Sequence, residues 1–329
     1  MFRLYKLLKW VFGKCPIHNQ AIGFNTFTEY PTNFLSLSGA NKFSWVRLDA
    51  KFGKTQNEID TAISAFIAAG VIVCALVSVN EWNDNGAEAE YLIDNSPAKI
   101  LEWDNEIDLN GGPIGTNVTT LKSYIVIWKR LFERNLKRGK KAKYVLGPSV
   151  STLHYGPTGA GQVTLKNLVA NGIGNCCHAL PIHVYVQDPT CNWSTDLTEV
   201  TSVATLKTNI KEQITIARKI CGNIKIIVTE MGFPTKLVEH IFGSYSDANA
   251  ASLYQAGVEA CQEVGVPCIL YSGLYVDNTF GCFDANEVYQ QSTDKNMDIF
   301  KFVNGSWDGG SPAYTGMANA LMGNVQSPV

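Results

Sequence analysis

Two carboxylates at the ends of apolar runs define the chemistry this sequence offers. In Lys99 to Asn110, KILEWDNEIDLN, a short apolar approach ends in Asn105-Glu106 and the chain then turns polar. In Ile224 to Thr235, IKIIVTEMGFPT, an unbroken apolar run delivers Glu230. A glutamate that closes a buried strand is held at a fixed place at the strand tip. Two such glutamates suit hydrolysis by a carboxylate pair, in which one group donates a proton and the other attacks or activates water. Asn-Glu steps are common on solvated surfaces, so the inference rests on the two stretches together.

Such a pair needs a fold that brings distant strand ends to one face. Strand-like runs occur at 21–25, 43–48, 71–77, 99–103, 143–147, 180–185, 224–229 and 267–271. Between them lie stripes of helical period: Ile59, Ala62, Ile63, Phe66 and Ile67; Leu121, Tyr124, Ile125, Trp128, Leu131 and Phe132; Leu206, Ile210, Ile214 and Ala217; Leu253, Gly257, Ala260 and Val264. Only Ala87 to Asp94 is available for a helix after the third run. Gly70, Gly139 and Gly222 stand where helices should end. Eight strands alternating with helices predict an α/β fold, a (β/α)8 TIM barrel in a single domain. A doubly wound sheet would favour a Gly-rich phosphate loop after an early strand. The glycines at 156–161 follow the fifth run and lack a Walker lysine.

In a barrel all strand C-termini share one face, so Glu106 and Glu230 meet across its mouth. The same rule collects Arg47 from strand two, His183 and Tyr185 from strand six, Asn25, Ser149, Tyr271 and Tyr275. Each has a plain structural reading too: Arg47 as an ion-pair partner, His183 as a satisfied core histidine, Tyr271 as core. Trp82, Trp103, Tyr155, Trp193, Phe233 and Tyr275 fall near loop ends, where an aromatic ring stacks on a sugar or packs inward.

The 329 residues are 46% hydrophobic and 17% charged, which supports a large core. The net charge is −2 with no long run of one sign, which argues against nucleic acid as a partner. The basic cluster from Lys129 to Lys143 reads as a solvated helix end and loop. Nine cysteines show no C-x-x-C spacing, so zinc is not expected; Cys74 and Cys268 read as core, and a disulfide or two remains open. Residues 1–20 are basic and apolar, too interrupted for a signal peptide and too short to span a membrane, and are expected to cap the barrel or lie at its periphery. Residues 21–329 then form the catalytic barrel. Sequons at Asn117, Asn192 and Asn304 carry little weight.

The strand-tip constellation resembles glycoside hydrolase clan A, retaining β-glycosidase barrels with Asn-Glu closing strand four and a nucleophilic Glu closing strand seven. Glu102-Trp-Asp-Asn-Glu106 resembles the strand-four pattern, and Thr229-Glu-Met-Gly-Phe-Pro234 the strand-seven pattern of family 17. His183-x-Tyr185 resembles family 5, and the strand-four wording family 39-type enzymes. The family is not resolved: the histidine that family 5 often carries after strand three is replaced by Asn80-Glu81-Trp82. A strand-eight tryptophan is absent, with Tyr271 or Tyr275 nearest.

The resemblance implies retaining hydrolysis of a β-linked polysaccharide or oligosaccharide, with a β-glucan favoured over mannan, xylan or galactan. It makes Glu106 the acid/base, Glu230 the nucleophile and Asn105 the partner of the sugar 2-hydroxyl. Arg47 and Tyr185 would keep Glu230 charged, His183 would orient Glu230 or a sugar hydroxyl, and Trp82, Tyr271 and Tyr275 would line the site. Glu106 would be protonated at rest, its pKa raised by Glu230. No cofactor is required, a monomer is expected, and the substrate class favours an extracellular setting. The competing class is a carbohydrate-binding barrel without catalysis.

Overall fold

The computed structural model describes residues 22–27, 44–49, 55–79, 85–109, 114–151, 153, 155–186, 197–233, 235–244 and 246–270, with short pieces at 274–275, 282–283, 289–290, 300–303 and 306–308. Its strands are β1 (Ile22–Phe27), β2 (Trp45–Asp49), β3 (Ile72–Val77), β4 (Ile100–Trp103), β5 (Tyr144–Leu146), β6 (Ala179–His183), β7 (Lys225–Glu230) and β8 (Cys268–Leu270). Each pairs in parallel with the next, and β8 pairs back onto β1, so the hydrogen-bonded order closes. The ladder is thin at two seams, where β5–β6 and β7–β8 share one register pair each, Leu146 with Ala179 and Val228 with Cys268.

Within the described residues, helices follow β2 through β7. They are α1 (Gln56–Ala68), α2 (Ala87–Asp94), α3 (Val118–Lys137), α4 (Ala160–Ala170), α5 (Val203–Cys221), and α6 (Thr235–Phe242) with α7 (Asp247–Glu263). Helix starts are written locally: Thr55 and Glu58 form a capping box on α1, and Ser202 and Thr205 form one on α5. The sequon residue Asn117 caps α3, its side chain accepting from the Thr119 and Thr120 amides. Gly222 closes α5 with φ 59°, a left-handed turn that a side chain would resist.

Alternation along the strands sorts the core into two bodies. Val46, Leu48, Val73, Ala75, Leu101 and Val228 join the large cluster that packs against the helix stripes. Trp45, Cys74, Ile100, Tyr144, Leu146, Ala179 and Ile227 form a separate cluster, the fill between the strands. Two residues beyond Trp45 on the same face comes Arg47, and two beyond Ile100 comes Glu102. Interior packing therefore lifts a layer of charge onto the C-terminal rim.

The basic cluster is solvated at Lys129 and Arg130, while Arg134 and Arg138 pair with Glu90 and Asp94 of α2. Lys143 departs from that expectation. It is buried, bonds the Ser96 and Ala98 carbonyls at 2.5 and 2.8 Å, and burial pushes its pKa down to about 8. Cys74, Cys176, Cys177, Cys221, Cys261 and Cys268 are buried and carry thiols. Among the described residues no helix is long and apolar enough to cross a membrane. Residues 1–20 lie outside the described residues.

Candidate active site

The rim of the barrel gathers Arg47 of β2, Glu102 of β4, Asn105 and Glu106 just beyond it, His183 and Tyr185 at the end of β6, and Glu230 at the end of β7. Arg47, 1% exposed, is the hub. Its Nε and Nη2 donate to both oxygens of Glu102 at 2.8 and 2.9 Å, Nη1 donates to Glu230 Oε1 at 2.5 Å, and Nη2 also reaches Asn105 Oδ1 at 2.8 Å. Burial alone would lower the Arg47 pKa, but the charges of Glu102 and Glu230 outweigh it and hold the guanidinium above its ordinary value. The other Glu230 oxygen accepts from the Tyr185 hydroxyl at 2.7 Å. Glu230 thus has a donor on each oxygen and is nearly buried.

Glu106 is more open, with 19% of its side chain exposed, and its Oε1 lies 2.8 Å from His183 Nδ1. The same nitrogen is 3.5 Å from Glu230 Oε2. His183 therefore stands between the two glutamates, closer to Glu106; the sequence reading pairs it with Glu230 or a sugar hydroxyl. The β6–β7 register shifts at this point: Ile182 pairs with Val228 and His183 with Glu230, so β7 carries one extra residue at Thr229. A bulge re-aims the side chains that follow it, and nothing in a single strand's pattern reports one.

The protonation expected for Glu106 is also corrected. Burial acts to raise its pKa, but the hydrogen bond and charge of His183, with the charge of Arg47, outweigh burial and hold the carboxyl below its usual range. For His183, burial acts downward, and the charges of Glu230 and Glu106 overcome it and raise the imidazole. The two shifts both favour a charged imidazole beside a charged carboxylate, and the titration belongs to the pair.

Asn105 points its amide oxygen at Arg47 and receives the Ser149 hydroxyl at 3.3 Å, which leaves its NH2 group to donate elsewhere. Glu106 and Asp104 both have positive φ, 44° and 43°. Asp104 accepts from Trp128 Nε1 at 2.8 Å, and Asp108 is buried against Ser151. Sequence reasoning quoted Glu102 only as part of a family pattern and missed Asp104 and Asp108. Their signal was in plain view: four acidic residues, Glu102, Asp104, Glu106 and Asp108, occupy alternate positions at this strand end.

Among the described residues, one group offers metal-ligand geometry: Glu106, His183 and Glu230, with donor atoms all within 4.8 Å. The fixed charge of Arg47 against Glu230 opposes a cation there. Trp82, Trp193 and Tyr271 lie outside the described residues. Tyr275 falls in a two-residue strand, Leu274–Tyr275. A cavity of about 360 Å³, lined by Tyr144, Ile224, Ile226, Ile227 and Pro267, opens at the N-terminal ends of the strands, opposite the glutamates.

No protein-family model matches this sequence, and no curated protein matches it either. Solved structures do match in shape. A GH5-4 broad specificity endoglucanase from Clostridium acetobutylicum superposes with a TM-score of 0.58 at 12% identity, over 93% of this chain and 99% of that one. A β-glucosidase, 1317, gives 0.57 at 11% identity, over 88% and 86%. A GH128 (subgroup VI) exo-β-1,3-glucanase from Aureobasidium namibiae gives 0.52 at 12%, over 88% and 92%. The fold is the one shared by clan A glycoside hydrolases. Likeness at this identity speaks for the fold alone.

Proposed function

We propose that this protein is a retaining glycoside hydrolase acting on a β-linked polysaccharide or oligosaccharide, with an endo-acting β-glucanase activity favoured, built on one (β/α)8 catalytic barrel over residues 21–329 and capped or flanked by residues 1–20. One observation carries the reading: an oxygen of Glu106 and an oxygen of Glu230 lie within 4.8 Å of each other. Carboxyl groups about 5–5.5 Å apart suit a covalent glycosyl-enzyme, whereas inversion needs about 6.5–9.5 Å to admit a water. The similar structures are an endoglucanase, a β-glucosidase and an exo-β-1,3-glucanase, which supports the substrate class.

In this reading Glu230 is the nucleophile. Arg47 and Tyr185 each donate to one of its oxygens, which fixes the carboxylate for attack on the anomeric carbon. Glu106 is the acid/base. It takes the pair's proton from His183 Nδ1 across 2.8 Å and delivers it to the leaving oxygen. Once Glu230 is esterified its charge is gone, one of the two charges that raised His183 disappears, and Glu106 acts as the base toward water. Asn105 offers its free NH2 to the 2-hydroxyl, a contact that strengthens as the oxocarbenium character grows.

The test is a reducing-sugar assay on mixed-linkage β-glucan, laminarin, mannan, xylan and galactan, followed by azide rescue. Glu230→Ala should lose hydrolysis and yield the α-glycosyl azide. Glu106→Ala should accumulate the glycosyl-enzyme on an activated aryl glycoside and yield the β-azide. Binding of a glycan with no release of reducing ends would instead assign a carbohydrate-binding barrel. Reversed anomers would exchange the two roles.

A further inference from the structure

The turn that carries Glu106 is strained twice, at Asp104 and at Glu106. Residues with side chains stay in that backbone region only where their surroundings over-determine them. Val77 and Trp128 hold Asp104, through its amide and its carboxylate at 2.8 Å each, and the rest of the turn is fastened by one short segment, residues 149–151, just beyond β5. The Ser149 amide donates to the Asp104 carbonyl at 3.0 Å, its hydroxyl accepts from the Glu106 amide at 2.9 Å, and its carbonyl accepts from the Ile107 amide at 3.2 Å. Two residues on, Ser151 turns both its amide, at 2.9 Å, and its hydroxyl to the two oxygens of Asp108. Asp108 is only 5% exposed. A carboxylate buried to that degree is tolerated while its oxygens are filled and strongly disfavoured once they are not.

The other edge of the segment holds the second member of the acid/base pair. Val150 bridges to Ile182, and its carbonyl accepts from the His183 amide at 3.0 Å. Three consecutive residues therefore fasten the Glu106 turn on one side and the His183 backbone on the other. The separation of Glu106 Oε1 and His183 Nδ1 is set through this segment.

We propose that Asp108 and Ser151 form a positioning clasp for the acid/base: by locking the β4 turn to the 149–151 segment they keep the Glu106 carboxyl against His183 and aimed at the leaving group. The proposal rests on the reading of Glu106 as acid/base. Neither clasp residue needs to touch substrate. Opening the clasp frees the strained turn to relax and carries Glu106 away from its proton partner, while Glu230 keeps Arg47 and Tyr185.

That asymmetry gives the clasp a kinetic signature distinct from a loss of stability. Ser151→Ala, which removes one hydroxyl, and Asp108→Ala are assayed beside Glu106→Ala on mixed-linkage β-glucan and on dinitrophenyl β-cellobioside, with melting temperatures for each. Because general acid catalysis contributes about 10²–10⁴-fold, the clasp variants should lose roughly tenfold or more on the glucan. The burst of dinitrophenol should stay within about threefold of the parent, and the alkaline limb of kcat/KM should move to lower pH as the pair loosens. Asp108→Asn, which still accepts from the Ser151 amide, should fall between Asp108→Ala and the parent. Equal losses on both substrates would make the clasp merely structural and overturn the proposal, as would unchanged glucan turnover in folded Ser151→Ala. If Glu106→Ala itself shows no leaving-group dependence, the acid/base reading fails and the proposal falls with it.

Discussion

Replacing Arg47 by methionine keeps an unbranched stem of similar length and removes the guanidinium from the centre of the site. Glu102, fully buried, then loses the Arg47 donors to both oxygens and keeps a long bond from the Thr229 hydroxyl at 3.4 Å, while Glu230 loses its bond from Nη1. Removing one partner of a buried ion pair costs about 3–5 kcal/mol, chiefly from the uncompensated charge left behind. Against a total stability of about 5–15 kcal/mol this is a large fraction. The informative variant is the double, Arg47→Met with Glu102→Gln. A neutral amide at position 102 carries no stranded charge, so the remaining deficit reflects lost hydrogen bonding, about 1–3 kcal/mol. The double variant should therefore be more stable than Arg47→Met alone, a favourable coupling that independent sites would not show. Urea unfolding at neutral pH, followed by tryptophan fluorescence and far-ultraviolet circular dichroism with matching transitions, measures all three variants. Both variants that lack Arg47 should be severely impaired in turnover, since neither retains the Nη1 bond to Glu230. If the double variant loses the sum of the two single effects, or if Arg47→Met costs less than about 1 kcal/mol, the hub argument is wrong.

Two further outcomes follow from the same geometry. Tyr185→Phe removes one hydrogen bond to a charged group, about 1.5–3 kcal/mol; turnover should fall roughly 10- to 150-fold with little change in melting temperature, and an unchanged rate with a lower melting temperature would make the tyrosine structural. The His183–Glu106 pair also sets a pH window for stability. His183 is raised above its unfolded value, so its contribution is complete below about pH 6.5 and lost as pH rises through the folded pKa; Glu106 is depressed, so its contribution is complete above about pH 4.3 and lost as pH falls through its folded pKa. His183→Gln should remove the decline on the alkaline side, and a melting-temperature series that declines alike in parent and variant would refute the assignment.

The strands were legible because parallel strands buried on both faces read as continuous apolar runs. Every one of the eight runs overlaps an observed strand, and Ala87–Asp94, the least supported helix, appears with those bounds. Helices α4 and α6 were not read: neither Ala160–Ala170 nor the short Thr235–Phe242, directly after Pro234, was among the periodic stripes. At the site, strand-tip position brought Arg47, Asn105, Glu106, His183, Tyr185 and Glu230 together on paper, since that needs only topology. The extra residue at Thr229, which sets His183 opposite Glu230 in the ladder, is a property of the pairing of two strands and not of either strand alone. The Asp108–Ser151 contact was hidden for a related reason, because a turn's left-handed residues leave no hydrophobic period to read.

The bonds of the Arg47 hub join positions 55 and 183 residues apart in the chain. None of them can form from local structure, so the central guanidinium and its carboxylates become compatible with burial only when β2, β4 and β7 are assembled together. An incompletely closed barrel that buried any one of these groups would carry a bare charge, and such arrangements are disfavoured relative to the fully closed one. Long-range closure of this kind also slows assembly, since the ordering of intervening chain precedes the interactions that reward it. The cluster that reads as a catalytic centre thus serves during folding as a selector for the complete barrel, and recovery of activity after dilution from denaturant should lag the recovery of helical signal.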